Sequence, residues 1–241
     1  MPSDLRKEIR QKANAKRAAI ARLFFKTGRG EYGEGDHFFG LTVPEQRQIA
    51  QRYRDLAFLD VRKLLRSPYH EDRFVALIIF VDQFTRGDEP RREQIYRLYL
   101  SSVAPCVNNW DLVDVSAHKI VGEYLCDHPG KRVVLQKLAR SKNLWERRVA
   151  MIATLAFIAH DEFAETLRLA DILLLDRHDL IHKAVGWMLR EVGKRDRATL
   201  VKFLRSRYNR MPRTMLRYAI EKFSDSERRA YLQGASSRVP K

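Results

Sequence analysis

The strongest constraint on the fold is a helical spacing of apolar residues that continues through nearly the whole chain and is interrupted by short turns. Helices are predicted near 44–57, 60–66, 70–85, 91–103, 110–125, 131–140, 144–159, 161–175, 178–192, 195–206, 211–222 and 225–232. A longer first helix is predicted from Ser3 to about Phe25. With 11 glycines and 8 prolines in 241 residues, the composition also favours helix over sheet.

One segment repeats. Residues 67–76 (SPYHEDRFVA) are similar to residues 141–150 (SKNLWERRVA), and Arg73 and Arg147 occupy corresponding positions. Half of their separation is 37 residues, and steps of that length from Arg73 reach Trp110, Arg147 and Ala184, each early in a predicted helix. Repeating helix pairs of about this length are typical of HEAT-like solenoids. We therefore expect one all-α domain over residues 1–241, a stack of antiparallel helix pairs with a concave basic face. The alternative is an irregular helical globule.

The predicted helices are interrupted near the N-terminus by a glycine-rich segment from Lys26 to Asp36, which contains four glycines within eight residues. This density predicts a loop or a short β-hairpin. Its side chains Lys26, Arg29 and Tyr32 are candidate DNA contacts, since cationic and aromatic groups suit a groove or a strand junction.

Charge is concentrated at the two ends of the chain. The net charge is +16, with nine Lys/Arg against two acids in residues 1–30, and sixteen against five in residues 183–241. This distribution favours a polyanion such as nucleic acid as the partner. Two cysteines exclude a disulfide framework, and a charged N-terminal segment with no long apolar run predicts a cytoplasmic chain without signal peptide or membrane span. We expect a monomer.

Asn109 to His118 is the first segment with chemical interest. Asn109 is predicted to cap a helix, and Asp111 in the first turn offsets the helix dipole. Trp110, Asp114 and His118 are spaced four residues apart and share one helix face, whereas Val113 and Ala117 are expected in the core. This spacing is also compatible with a half-buried Trp that only packs and an Asp on a hydrated face.

Two later segments carry cations beside indoles. In the segment 182–191, Trp187 is flanked by Lys183 and Arg190, which could meet phosphates, and Gly186 in mid-helix implies close approach by a packed neighbour or a ligand. In the segment 145–150, Arg147 and Arg148 cannot face the same way. One is expected to pair with Glu146 or Asp111, and the other could hold a phosphate.

Together these three segments resemble the AlkD-type family of HEAT-like repeat DNA glycosylases. The resemblance runs from about residue 38 onward, through Trp110 to Asp114, Trp145 to Ala150 and Lys183 to Glu191. It implies removal of cationic N3- and N7-alkylpurines from duplex DNA without base flipping. Asp114 then corresponds to the catalytic carboxylate, Trp110 and Trp187 to aromatics that contact the lesion nucleotide, and Arg148 to a phosphate-binding residue.

Two alternatives stay open at the level of sequence. The glycine-rich insertion resembles that of a related subgroup which carries a β-hairpin there and binds branched DNA with little or no glycosylase activity. A solenoid scaffold for acidic proteins would use the same basic face. No spacing of histidines with Cys or carboxylates predicts a metal site, and no nucleotide-binding motif is present, so we expect no cofactor.

Overall fold

In the computed structural model, which describes residues 3–233, the described chain forms fifteen α-helices and no strand longer than one isolated bridge, between His37 and Tyr69. The all-α prediction is therefore confirmed. None of these helices is both long and apolar enough to cross a membrane. The last eight residues of the predicted basic C-terminal segment lie outside the described range. The chain divides into two compact units, Met1–Ile120 and Val121–Lys241, which are described separately.

The first unit is built around one long, mostly buried helix, α5. In order, its helices are α1 (Ser3–Gln11), α2 (Ala15–Phe24), α3 (Val43–Arg52), α4 (Phe58–Leu65), α5 (His70–Arg86), α6 (Glu89–Ser102) and α7 (Trp110–Ala117). Helix α5 contacts α3, α4, α6 and α7, and its buried residues form the centre of the core. Each prediction from residue 44 to residue 103 corresponds to a helix.

The first helix differs from its prediction, because it is interrupted at residues 12–14. Asn14 adopts an extended backbone (φ −137°, ψ 108°), and its side chain accepts a hydrogen bond from the backbone N–H of Arg17, which caps α2. Its own N–H donates to the carbonyl of Phe39 at 2.8 Å. A tertiary hydrogen bond and a cap thus replace the helical bonds that local spacing predicts.

The second unit stacks helix pairs. Its helices are α8 (Glu123–Asp127), α9 (Val133–Ala139), α10 (Leu144–Ala159), α11 (Ala164–Ile172), α12 (Asp179–Arg195), α13 (Arg197–Arg205), α14 (Arg213–Ala219) and α15 (Asp225–Gln233). Helices α8, α10, α12 and α14 contact one another in succession, while α9 and α11 form a second layer against them.

The predicted helix 110–125 is broken by a π-helical turn from His118 to Gly122, between α7 and α8. A Cβ atom at Gly122 would collide with the backbone carbonyl of Ala153 in α10. The glycine therefore permits α10 to approach this turn closely.

The sequence repeat has a structural counterpart in one recurring turn. The Oγ atoms of Ser67 and Ser141 each accept a hydrogen bond from the backbone N–H two residues later in the chain. The backbone carbonyls of the same two serines accept hydrogen bonds from the side chains of Arg73 and Arg147, at 3.0 Å in both cases. Asp176 repeats the arrangement, because its carboxylate accepts from the N–H of His178 and its carbonyl contacts the His182 ring at 2.5 Å.

The 37-residue step therefore finds the correct helices but not the equivalent positions. The third repeat of the turn places His182, rather than the predicted Ala184, at the position of Arg73 and Arg147. In α7 the predicted Trp110 follows the cap residue directly, three positions earlier in its helix than Arg73 and Arg147 are in theirs.

Candidate functional site

The N-terminus of α7 is fixed by Asn109, as predicted. Its side-chain oxygen accepts from the backbone N–H of Trp110 at 2.9 Å, and its amide donates to Asp36 at 3.1 Å. Asn109 is completely buried. The first turn of α7, which carries Trp110 and Asp111, is therefore held rigidly against the end of the glycine-rich loop.

A buried histidine joins three segments of the first unit. His70, 2% exposed at the start of α5, donates from Nδ1 to Asp36 (3.2 Å) and from Nε2 to Asp111 (2.8 Å). Arg73 donates to the other oxygen of Asp36 at 2.6 Å. Burial lowers the pKa of His70, but the negative charge of Asp111 and the hydrogen bonds that the imidazole donates to Asp111 and Asp36 outweigh burial and raise this pKa to about 9. We infer that this imidazole is charged at neutral pH.

The sequence prediction missed this cluster. It expected Asp111 to offset the helix dipole or to pair with an arginine of the segment 145–150. One oxygen of Asp111 does accept from the N–H of Leu112 at 2.9 Å, as a first-turn carboxylate should. The other accepts from His70, which is 41 residues earlier in the chain. Because no local sequence pattern connects His70 with Asp111, only the tertiary structure reveals the pair.

An aromatic cluster covers the charged histidine. Phe25 and Phe38 lie against the His70 ring at centroid distances of 4.7 and 4.8 Å. Phe25 also stacks on Trp110 at 5.5 Å, and Phe24 meets the Trp110 ring edge-on at 5.9 Å. One face of the Trp110 indole is therefore occupied within the protein, and the side chain as a whole remains half-buried.

Asp114 lies one turn beyond Trp110 in α7 and is half-buried. Val113 and Ala117, predicted as core residues, are completely buried. His118 follows one further turn along, at the start of the π-helical turn, where burial lowers its pKa to about 4 and the charge of Lys119 acts in the same direction. Trp110 and Asp114 thus share a half-exposed face of α7, followed by an uncharged imidazole.

In the second unit, Trp187 is half-buried on α12, and its Nε1 donates to Glu191 at 3.1 Å. Arg190 pairs with both Glu191 and Glu221. Lys183 pairs with Asp179 at 2.7 Å on the surface. Because exposed pairs of this kind contribute little, a phosphate could take Lys183 from Asp179 more readily than it could take Arg190 from two carboxylates.

Gly186 is explained by helix packing. A Cβ atom at this position would lie 2.5 Å from both the carbonyl oxygen of Met215 and the Cβ of Tyr218. Of the two reasons that the sequence allowed for a mid-helix glycine, a packed neighbour and a ligand, the structure shows the neighbour, α14.

The two adjacent arginines of α10 have different surroundings. Arg147 pairs with Asp176 at 2.7 Å, a partner that the sequence did not indicate. The pairing follows from the recurring turn, since Asp176 occupies the serine position of the next repeat. Arg148 is 4% exposed and donates to the backbone carbonyl of Leu180.

The segment from Lys26 to Asp36 is a loop of successive turns, and the β-hairpin alternative is wrong. Glu31 and Glu34 accept from the N–H groups of Gly28 and Gly30, both at 2.8 Å, and these short-range bonds close turns instead of pairing strands. Lys26 and Arg29 are exposed. Tyr32 is half-buried, and its hydroxyl lies 3.5 Å from the carbonyl of Phe24.

In the part of the chain that is described, one group of side chains has the composition of a metal site. Glu123, Cys126 and His160, all in the second unit, bring one ligand atom each within 4.8 Å of one another. The sequence could not indicate them as a set, because His160 is 34 residues from Cys126. The expectation that the protein has no metal site remains a prediction.

Repeated helix pairs, a basic chain, and a rigid helix that presents an indole and a carboxylate define a helical-repeat protein with a candidate site for cationic ligands. Residues 5–223 match the model of the DNA alkylation repair enzyme family, so the chain belongs to that family.

The fold agrees with this membership. A solved structure described as a predicted DNA alkylation repair enzyme from Enterococcus faecalis superposes with a TM-score of 0.69 at 16% identity, covering 89% of this chain and 98% of that one. No curated protein matches the chain.

Proposed function

We propose that this protein is a DNA glycosylase that releases cationic N3- and N7-alkylpurines, and that Asp114 is its catalytic carboxylate. One observation carries the proposal: Trp110 and Asp114 lie one turn apart on the half-exposed face of α7, and the first turn of that helix is fixed by buried hydrogen bonds. A preorganised carboxylate can stabilise developing positive charge without rearranging during the reaction.

The chemistry requires little from the protein. An alkylated purine already carries positive charge and leaves when its bond to C1′ of deoxyribose breaks, while a water oxygen forms the new bond to C1′. The sugar gains oxocarbenium character in the transition state, which a carboxylate stabilises in glycosidases. Asp114 would supply this charge and accept a proton from the water. The indole of Trp110 would favour the cationic base, contributing about 0.5–2 kcal/mol.

The two carboxylates of the Trp110–Asp114 motif are proposed to have separate roles. Both oxygens of Asp111 have partners within the protein, Leu112 and the charged His70. We assign Asp111 a positioning role, because its hydrogen bond with His70 connects α7 to the start of α5. Asp114 lies beyond the capped first turn on the half-exposed face of α7, and we assign it the catalytic role.

The DNA contacts are proposed from charge and exposure. Lys26, Arg29 and Tyr32 of the glycine-rich loop, and Lys183, Arg190 and Trp187 of α12, are the candidates. For Arg148 we propose a structural role instead, since its burial and its bond to Leu180 favour holding the start of α12 over meeting a phosphate. The partner is duplex DNA, in keeping with the family and with the net charge of +16.

Binding of branched DNA without catalysis is the second candidate from the sequence. It rested on resemblance to a subgroup with a β-hairpin, and the described loop contains none. We therefore place the glycosylase first. Stronger binding of four-way junctions than of duplex, with no base release, would reverse this order.

The test is release of 7-methylguanine and 3-methyladenine from methylated duplex DNA, measured by chromatography. Wild-type protein should release base well above the spontaneous rate, and Asp114→Asn should lose at least about 100-fold of that rate while still binding DNA. Asp55→Asn removes an exposed surface carboxylate of the same unit and should behave as wild type. Wild-type release at the spontaneous rate would reject the proposal.

A further inference from the structure

Helix α2 presents an apolar surface that residues 3–233, the described part of the chain, leave uncovered. Ile20, Leu23 and Phe24 are spaced i, i+3 and i+4 along one face, and they are 66, 82 and 62% exposed. No residue of α2 is buried. Large apolar side chains clustered in this way indicate an interaction site, in contrast to isolated exposed ones.

The energetics of α2 point in the same direction. A helix of ten residues is marginal in water, and helices in proteins owe most of their stability to a buried apolar face. Helix α2 is instead held at its two ends. Asn14 caps the first turn, and Phe25, directly after the helix, stacks between Phe38 and Trp110. The fold thus positions this helix firmly while leaving its apolar face outward.

The charge around α2 identifies the kind of partner. Residues 12–30 carry six Lys/Arg and no acidic residue. Arg22 and Lys26, on either side of Leu23 and Phe24 in sequence, are exposed. Apolar tips flanked by cations are the arrangement with which proteins wedge open DNA base steps, the cations binding phosphates while the apolar groups replace a stacked base.

The location supports nucleic acid as the occupant. Phe24 meets the ring of Trp110 edge-on, so the exposed face of α2 adjoins the half-exposed face of α7 that carries Asp114. A duplex whose damaged nucleotide is at Asp114 would therefore also reach α2.

We propose that Leu23 and Phe24 form a wedge that enters the base stack beside the damaged nucleotide, while Arg22 and Lys26 bind the adjoining phosphates. This inference rests on the proposed function and extends it, since it assigns recognition of a locally unstacked duplex to a helix outside the family motifs. It provides access to C1′ without a pocket for the base.

The experiment uses a duplex that contains an abasic-site analogue beside 2-aminopurine, whose fluorescence increases when it unstacks. Binding of the full chain should increase the fluorescence. Leu23→Ser, and more strongly Leu23→Ser with Phe24→Ser, should abolish the increase and weaken binding at least tenfold. Because these side chains are exposed, the fold should persist, which circular dichroism checks.

Leu59→Ser is the matched control, because Leu59 is an apolar residue of the same unit that is 62% exposed on α4. It should leave fluorescence and affinity unchanged. An unaltered fluorescence increase in the double variant would overturn the wedge.

Two parallel measurements test whether the apolar face of α2 binds a second copy of the chain or a membrane instead of DNA. Sedimentation that shows a wild-type dimer and a monomeric double variant would assign the face to a second copy of the chain. Flotation of wild type, but not of the double variant, with vesicles of phosphatidylserine and phosphatidylcholine would assign it to a membrane. Either result overturns the proposal if the double variant also gives the same 2-aminopurine fluorescence increase as wild type.

Failure of the wedge and failure of the glycosylase are distinguishable. Asp114→Asn should keep the 2-aminopurine signal while losing base release. If wild type and the double variant release base at the same rate, the wedge is rejected and the glycosylase proposal stands. A wild-type fluorescence increase without any base release would reject only the catalytic assignment.

Discussion

Replacement of His70 by Gln tests whether the charged imidazole stabilises the first unit. His70 lies between Asp36 and Asp111, and its pKa is raised from 6.5 to about 9. A group whose pKa is raised on folding contributes stability that is fully present below its unfolded pKa and is lost as pH rises through the folded pKa. Wild-type stability should therefore fall between about pH 6.5 and pH 9.

The size of the effect follows from the two pKa values. Each unit of difference between the unfolded and folded pKa corresponds to about 1.4 kcal/mol. The rise from 6.5 to about 9 therefore corresponds to an unfolding free energy on the order of 3 kcal/mol. Asp36 acts at the other end of the pH scale. Burial raises its pKa, but the hydrogen bond from His70 and the charge of Arg73 lower it below 3.8, so its contribution is lost only as acid protonates it.

The assay is urea unfolding of wild type and His70→Gln at intervals from pH 6 to pH 10. The variant should be less stable at pH 6, and the difference between the two proteins should shrink by about 3 kcal/mol towards pH 10. His37→Gln, at an exposed histidine that follows the same loop, is the control and should keep the wild-type pH dependence. Parallel curves for wild type and His70→Gln would refute the reasoning.

Two further substitutions test packing and loop anchoring. Gly186→Ala should lower the melting temperature by several degrees, at a cost of about 1–3 kcal/mol, because the new Cβ would lie 2.5 Å from backbone and side-chain atoms of α14; an unchanged melting temperature would contradict that contact. Glu71→Gln should cost about 2–3 kcal/mol and speed amide hydrogen exchange at residues 39–41, since its carboxylate accepts from the N–H groups of Phe39, Gly40 and Leu41; unaltered exchange there would show that the carboxylate does not anchor the segment.

The sequence predicts what depends on local spacing. Most helices from residue 44 onward, the Asn109 cap and the burial of Val113 and Ala117 follow from periodicity and from capping rules, whereas the π-helical turn at His118–Gly122 does not. The repeat between Arg73 and Arg147 was recognisable because the same turn needs the same donors and acceptors in each copy.

What the sequence did not predict depends on contacts between distant segments. Asp36 lies 34 residues before His70 and Asp111 lies 41 residues after it, and no local pattern connects the three. The interruption of the first helix has the same cause, since a hydrogen bond from Asn14 to Phe39 outweighs the helical propensity around it. The exposed face of α2 also escaped prediction, because amphipathic spacing does not say whether a face is covered.

The most direct test of the account is single-turnover release of 7-methylguanine from a duplex by excess protein, wild type and Asp114→Asn side by side. Saturating protein removes differences in affinity, so the rate reports the chemical step alone. We predict rapid release by wild type and a rate at least about 100-fold lower for the variant. Equal rates for the two proteins would contradict the account.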